Sequence, residues 1–338
     1  MTDRPRLSPA IADVRRAVRE NWARVGVVKG DRLLIACSGG ADSLALVGAS
    51  VFEAERAGLE LAVAVVDHGL QQGSPAVAEN AAHACRELGV GDVTVVRVQV
   101  DLAAGKGMEA SARDARYQAL RNSQTKLNAK FVMLGHTLND QAETVLLGLT
   151  RGSGPRSVAG MQGIDGIWLR PLLVIDRATT EQFCKDSGID FWVDPHNSDS
   201  AYTRVRIRKN VLPVVEQELG PGVALALART ANLLRQDLDF LDQLASEQFE
   251  SLSVSSATGL ELTVVQIEKL HPAILSRVIQ LSLQVFGTAF SKTHIDAVCE
   301  LVGNWHGQKE LTLPGVRVVR QDGVLVFKSS KTLKPGAC

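Results

Sequence analysis

The amino-acid sequence predicts an α/β protein in which an N-terminal parallel sheet covered by helices is followed by a helical connector and a small α+β C-terminal domain. Three observations carry this. Continuously apolar runs at about 32–37, 61–66, 93–98 and 130–134 alternate with helical stretches at about 42–57, 75–89, 109–126 and 139–149. Such runs suit strands buried on both faces and joined by crossovers. A long stretch at about 221–250, with Leu225, Ala228, Leu233, Leu234, Leu238 and Leu241 spread along it, reads as a helix that packs on something. Beyond it, residues 316–320 and 324–328 flank Asp322-Gly323, a hairpin signal.

Taken in order, Ile11, Val14, Val18, Trp22 and Val25 fall at helical spacing and give a first amphipathic helix before the Gly30-Asp31 turn. The strand Leu33-Leu34-Ile35-Ala36-Cys37 then runs into Ser38-Gly39-Gly40-Ala41-Asp42-Ser43, which opens the helix beginning Leu44-Ala45-Leu46-Val47. Paired glycines let the backbone turn with its N–H groups inward, and the helix start adds unpaired N–H groups and the positive end of its dipole. That combination is a pyrophosphate cradle. The sequence contains no G-x-x-x-x-G-K-[ST] string and no G-x-G-x-x-G opening a helix, so kinase-like and dinucleotide readings lose their main support. Asp67-His68-Gly69 follows the second strand and Gly135-His136 the fourth. In a parallel sheet ligands bind off the carboxyl ends of the strands, so these strings converge on one edge.

On the helix starting near Asn139, Ala142, Val145, Leu146 and Leu149 form an apolar stripe, while Asp140, Glu143 and Thr144 lie opposite, aimed away from the core. Read alone, that face is either a solvated surface with Thr137 and Asp140 as a capping pair, or a cation site. After Arg151-Gly152-Ser153-Gly154-Pro155 the pattern loosens through Trp168-Leu169-Arg170-Pro171-Leu172-Leu173, a helix near 178–187 and the loop Asp194-Pro195-His196-Asn197-Ser198. Arg204, Arg206, Arg208 and Lys209 place four basic residues in six; on a strand the three arginines would face one way, on a helix they would not. The cluster reads either as a phosphate-contacting arm or as a solvated turn. Glu261-Leu262-Thr263-Val264-Val265 reads as a strand and 272–285 as a helix. The expected domains are residues 1–215, a connector at 216–250, a small α+β domain at 251–330 and a tail at 331–338.

Composition bounds the function. The 338 residues, 45% of them apolar, suffice for two domains or three with real cores. Lys+Arg and Asp+Glu balance at 37 each, so any RNA contact relies on local patches rather than a global basic field. Five cysteines (Cys37, Cys85, Cys184, Cys299, Cys338) with wide spacings and no C-x-x-C pair argue against a disulfide framework, a zinc site or an iron–sulfur cluster, and favour a reducing cytoplasm. The charged N-terminus lacks a signal-peptide core, and no apolar stretch approaches a membrane span.

Ser38-Gly39-Gly40-Ala41-Asp42-Ser43 resembles the PP-loop of the N-type ATP pyrophosphatases, which split ATP into AMP and pyrophosphate to activate an oxygen. The string Gly135-His136-Thr137-Leu138-Asn139-Asp140-Gln141-Ala142-Glu143-Thr144, with the residues that follow to Gly154, resembles the signature of one branch, the tRNA(Ile)-lysidine synthetases. Asp67-His68-Gly69-Leu70, the stretch Glu109 to Tyr117 and Arg170-Pro171-Leu172-Leu173 extend the resemblance, and Asp194-Pro195-His196-Asn197, followed by Tyr202 to Pro213, resembles the family's D-x-S-N…R-N-x-I-R…L-P region. The chain departs from the pattern at Gln71, where arginine is frequent, at His196, where serine is usual, and at Val205, where asparagine is usual. The match is dense from about 30 to 215 and weaker beyond.

The resemblance implies a Rossmann-like PP-loop domain and a reaction among ATP, free L-lysine and the wobble cytidine of a tRNA(Ile) with a CAU anticodon. It implies that Ser38, Gly39, Gly40, Ala41, Asp42, Ser43, Asp67, His68 and Gly135 hold ATP, with Asp42 also a ligand for Mg2+. Arg116 is the residue expected to meet phosphate, Asp140 and Glu143 to hold the lysine ammonium, and His136 or one of those carboxylates to take its proton. Asp42, Arg116, His136, Asp140 and Glu143 are thus the expected catalytic set, and Arg204, Arg206, Arg208 and Lys209 the expected tRNA contacts. The alternatives are a PP-loop tRNA thiolase, which would usually carry C-x-x-C pairs, and a non-catalytic adenine-nucleotide-binding regulator. Oligomeric state stays open, a homodimer being one option.

Overall fold

The computed structural model describes residues 7–69, 73–100, 107–152, 154–193, 201–256, 259–287 and 290–330. Leu70, Gln71, the loop Asp194 to Ser198 and the 331–338 tail lie outside them. The chain divides into two compact units, Met1–Asn232 and Leu233–Cys338, and the division falls within the long helix Val223–Leu252.

The first unit runs α1 (Pro9–Val25), β1 (Arg32–Cys37), α2 (Ala41–Ala57), β2 (Glu60–Asp67), α3 (Ser74–Glu87), β3 (Asp92–Arg97), α4 (Met108–Lys126), β4 (Phe131–Leu134) and α5 (Leu138–Arg151). The sheet order is β3-β2-β1-β4-β6-β5, where β5 (Ile164–Asp165) and β6 (Trp168–Leu169) form a short hairpin on the edge. Strands β1 to β4 and β6 are parallel, with Leu33 opposite Leu61 on one side and Phe131 on the other. Strand alternation divides the core. Leu33, Ile35 and Cys37 face a layer that includes Val18 and Trp22 of α1, Leu46 of α2 and Cys85 of α3, whereas Leu34 and Ala36 face Leu120 of α4. Both faces are covered, as the apolar strands require. From β1 the chain winds outward through β2 and β3, then crosses back to place β4 on the opposite side of β1. The crevice this opens beyond the carboxyl ends of β1 and β4 is where such sheets bind ligands.

After α6 (Pro155–Val158) and a 3-10 turn at Pro171–Val174 come α7 (Arg177–Asp186), α8 (Thr203–Arg206), a π turn at Ile207–Val211 and α9 (Leu212–Leu219). The basic cluster is therefore helical, not a strand, and Arg204, Arg206 and Arg208 do not share one face. The expected stripe on α5 is corrected at one end: Ala142 and Val145 are buried, but Leu149 is exposed and Leu147 takes its place against Ile207 and Leu212.

The second unit holds most of α10 (Val223–Leu252), then β7 (Ser253–Ser256), β8 (Gly259–Thr263), α11 (Val264–Ile267), α12 (Pro272–Gln284), α13 (Lys292–Gly303), β9 (Leu311–Leu313), β10 (Val316–Gln321) and β11 (Val324–Ser329). Its antiparallel sheet, ordered β7-β8-β11-β10-β9, packs Leu262, Val318 and Phe327 with Val278 of α12 and Val298 of α13. Asp322 and Gly323 both adopt positive φ between the paired Gln321 and Val324, the turn that a two-residue hairpin needs. The strand expected over 261–265 stops at Thr263, because Val264 and Ile267 turn into a single helical turn that buries both. Among the described residues no single helix is long and apolar enough to cross a membrane.

Candidate active site

The loop after β1 is built from its own residues. The Ser43 hydroxyl donates to the Gly40 carbonyl at 2.9 Å and accepts from the Ser38 N–H at 3.1 Å, closing the turn upon itself. Gly39 holds φ +81°, and a Cβ there would lie 2.9 Å from that of Ala81. Gly40 caps α2 without a side chain, so no side-chain oxygen competes for the first-turn amides at the dipole's positive end. At the end of β4, a Cβ on Gly135 would lie 3.1 Å from the Asp42 carbonyl oxygen, so this glycine lets the strand end approach the start of α2.

Two cavities meet at this loop and share Ala36, Ser38, Arg116 and Trp192. The first lies over the ends of β1 and β2, bounded also by Asp67, His68 and Val77. The second lies toward β4 and includes Asp42, His136, Asp140, Arg177 and Arg208. Arg116 of α4 forms no ion pair with a carboxylate among the described residues, and burial pushes its guanidinium below its usual range. A half-buried cation facing two cavities beside the amide loop is suited to a phosphate. Its helix neighbour Arg113 instead turns outward and lies over the Tyr117 ring. Asp67 is buried, accepts from the Gly69 N–H at 3.0 Å and has Arg97 at 3.4 Å. Burial, reinforced by the charge of Arg116, pushes His68 below its usual value, and its Nδ1 has no partner among the described residues.

Asp140 and Glu143 do not form a solvated face. Glu143 has no exposed surface and Asp140 only 8%. The capping pair is real: the Asp140 carboxylate accepts from the Thr137 N–H at 2.8 Å and from its hydroxyl at 3.0 Å. The opposite carboxylate oxygen accepts from Arg177 Nη2 at 2.9 Å, and Arg177 Nε lies 3.2 Å from Asp42. Arg208 Nε and Nη2 meet the two Glu143 oxygens at 2.6 and 3.1 Å. Asp42 also accepts from the Thr180 hydroxyl. Burial pushes the Asp42 carboxyl above its usual range against the pull of Arg177 and Thr180. For Asp140 the balance is reversed: burial would raise it, but Arg177 and the Thr137 N–H hold it low. Burial drives His136 down to about 3 despite the nearby Asp140, with Arg116, Arg170 and Arg113 adding to the effect, and its Nδ1 has no partner among the described residues.

The structure thus brings Ser38 to Ser43, Gly135, His136, Arg116, Asp140 and Glu143 to one strand edge, with Asp67 and His68 beside them. Arg208 is not an outward phosphate arm but part of the acidic cluster. Arg204 is half-buried, Lys209 is exposed, and Arg206 donates to the Ala201 carbonyl at 2.8 Å and to Thr203. Arg177, Thr180 and Trp192 escape sequence reasoning. Trp192 donates its backbone N–H to the Gly39 carbonyl at 2.9 Å and so lies across the loop. The one available cue was Arg177, four residues past the Arg170-Pro171-Leu172-Leu173 string. For magnesium, no three His, Cys, Asp or Glu side chains cluster as ligands among the described residues. Asp42 beside the amide loop fits the sparser requirement of magnesium bound with nucleotide phosphates, which takes one or two carboxylates and keeps its waters.

Fold and loop define a PP-loop protein. Residues 12–215 match the PP-loop domain family and residues 262–326 the TilS substrate binding domain. The chain is 53% identical over 300 residues to a tRNA(Ile)-lysidine synthase of Leifsonia xyli subsp. xyli, covering 88% of this chain and 90% of that protein. It is 44% identical over 325 residues to a tRNA(Ile)-lysidine synthase of Thermobifida fusca, covering 95% and 98%. Among solved structures, the U34-tRNA thiolase NcsA from Methanococcus maripaludis superposes with a TM-score of 0.56 at 17% identity, over 67% of this chain and 80% of that one, which is a likeness of fold. The chain belongs to the tRNA(Ile)-lysidine synthase family.

Proposed function

We propose that this protein joins the ε-amine of free L-lysine to C2 of the wobble cytidine in a tRNA(Ile) with a CAU anticodon, using ATP and magnesium in the cytoplasm. As a member of the family it is a ligase that uses ATP to form a C–N bond on tRNA. The observation that carries the finer reading is the shared cavity: the glycine loop and two carboxylates of the acidic cluster, Asp42 and Asp140, line the same space at the strand ends.

Two steps are required. The cytosine O2 attacks the α-phosphorus and pyrophosphate leaves; the lysine amine then attacks C2 and AMP leaves with the O2 atom. In the first, the amides of Gly40, Ala41 and Asp42 together with Arg116 meet the charge that gathers on the departing pyrophosphate. Magnesium, when bound at Asp42, supplies further charge neutralisation to the phosphates. In the second, lysine arrives as an ammonium, because its reference pKa of about 10.4 leaves almost no free amine at neutral pH. Asp140 and Glu143 hold that ammonium and are within direct reach of its protons. His136 is a poor acceptor, since protonation would bury another cation among Arg116, Arg170 and Arg113. Arg204, Arg206 and Lys209 serve tRNA phosphates, and the 262–326 region serves the body of the tRNA.

Labelled lysine incorporation into unmodified tRNA transcripts tests this. ATP-dependent incorporation into the CAU transcript, and none when the wobble base is uridine, is expected. Incorporation independent of the wobble base would refute the assignment.

A further inference from the structure

Three carboxylates, Asp42, Asp140 and Glu143, face two guanidinium groups, and the two arginines are held differently. Arg177 opens α7, lies within 4 Å of all three carboxylates, and donates its backbone N–H to Asn139 Oδ1 at 2.9 Å, which anchors its main chain to α5. Arg208 grips Glu143 with both ends of its fork and reaches Asp140 only at 3.4 Å. Its side chain is 28% exposed, and it sits on the π turn Ile207–Val211, an irregularity found frequently at functional sites.

This inference rests on the assignment of Asp140 and Glu143 to the lysine ammonium. The two Glu143 oxygens that Arg208 occupies are the ones an incoming ammonium needs. A carboxylate with no exposed surface cannot be left without a cation, so the two must exchange rather than add. The displaced guanidinium has an anionic destination close by, because Arg208 lines the cavity that also holds Ser38, Gly40 and Arg116. We propose that Arg208 is the displaceable counter-ion of Glu143, a positioning residue that yields its place to the lysine ammonium and turns to the nucleotide phosphates. Nucleotide then favours lysine by drawing Arg208 away, and lysine favours nucleotide by releasing it, a coupling that must be reciprocal. The exchange also selects for an ammonium: an amino acid without one leaves Glu143 unpaired if it displaces Arg208.

Calorimetric titration of L-lysine into the full-length protein, with and without α,β-methylene-ATP and magnesium, reads the coupling. In the wild type the analogue should tighten lysine binding by at least about fivefold. Arg208→Gln should bind lysine more tightly than wild type without the analogue, and the analogue should no longer change it. Arg208→Lys, which keeps the charge but not the fork, should restore part of the coupling, and norleucine should not bind in any variant. Wild-type coupling persisting in Arg208→Gln, or lysine binding weakened in that variant at unchanged melting temperature, would overturn the inference. Glu143→Gln separates the two levels of argument. If it leaves lysine affinity untouched, the ammonium lies elsewhere and the underlying assignment fails; if it abolishes lysine binding while Arg208→Gln behaves as wild type, the counter-ion exchange alone fails.

Discussion

On one side of the cavity, residues 38–43 present a turn closed by Ser38, Gly40 and Ser43, all from one short stretch of chain; on the other, α2, α5, α7 and the helical run 203–211 each send charged side chains into one cluster. In the proposed reaction the loop side would meet an anion with backbone dipoles that carry no net charge, so it can stand preformed at little electrostatic cost. The acidic side would meet a cation with buried carboxylates, and these need counter-ions of their own. An anion cradle can therefore be local and rigid, whereas a cation site of this kind must be assembled from distant elements and already contains the charges that its ligand replaces.

The largest effect is expected at Asp42, the carboxylate where the loop meets the acidic cluster. Asp42→Ala should reduce ATP-dependent pyrophosphate release by roughly a hundredfold or more, because it removes the group that would hold magnesium against the charge developing on the phosphates. Its melting temperature should change little, and near-normal release by the folded variant would dissolve the contrast between the two sides. On the acidic side, Glu143→Gln and Asp140→Asn should each raise the lysine KM by about tenfold or more, the scale of one lost charge-assisted hydrogen bond. ATP binding should change less. A KM for lysine unchanged in both would return α5 to a purely structural role.

A smaller effect concerns pH. His136 has its folded pKa lowered to about 3, against an unfolded value of about 6.5. Between those values the unfolded chain binds more protons, so stability rises with pH across this window and is lost as pH falls from about 6.5 toward 3. Urea melts of the wild type at pH 7 and pH 5 should show this loss, and His136→Gln should show less of it. Equal losses in both would mean that the imidazole is not held neutral. The smallest effect is expected from Arg204→Ala, Arg206→Ala and Lys209→Ala combined. Each phosphate contact removed should flatten the salt dependence of tRNA binding by about one log–log unit, with ATP affinity unmoved. An unchanged slope would make the run 203–211 a structural feature serving Arg208 alone.

The same contrast explains what could be read from the sequence. The loop was legible because its chemistry is contiguous: an apolar strand, two glycines and a helix start dictate the cradle without any distant partner. The strands β1 to β4 and the Asp322-Gly323 hairpin were legible for the same reason, since apolar runs and turn residues act locally. The α5 carboxylates were visible as residues, but not their burial. Periodicity reports which face lacks apolar side chains and is silent on whether water or an arginine covers it. Arg177 and Arg208 lie 37 and 68 positions from Asp140, and no local pattern links them. The basic run 203–211 could be read as strand or helix from its alternation alone, and the structure resolves it as helical, with the intervening Val205 and Ile207 buried.

The two sides separate most directly in a lysine-free reaction. Enzyme, ATP, magnesium and a CAU tRNA transcript are mixed without lysine, and pyrophosphate and tRNA-bound AMP are followed before and after lysine is added. The account predicts that wild type and Glu143→Gln both release pyrophosphate and retain AMP on tRNA, that lysine discharges AMP promptly only from the wild type, and that Asp42→Ala does neither. Pyrophosphate release that fails in Glu143→Gln as completely as in Asp42→Ala, or AMP discharge by lysine at the wild-type rate in Glu143→Gln, would contradict the division of the site into an activating loop and an amine-holding acidic cluster.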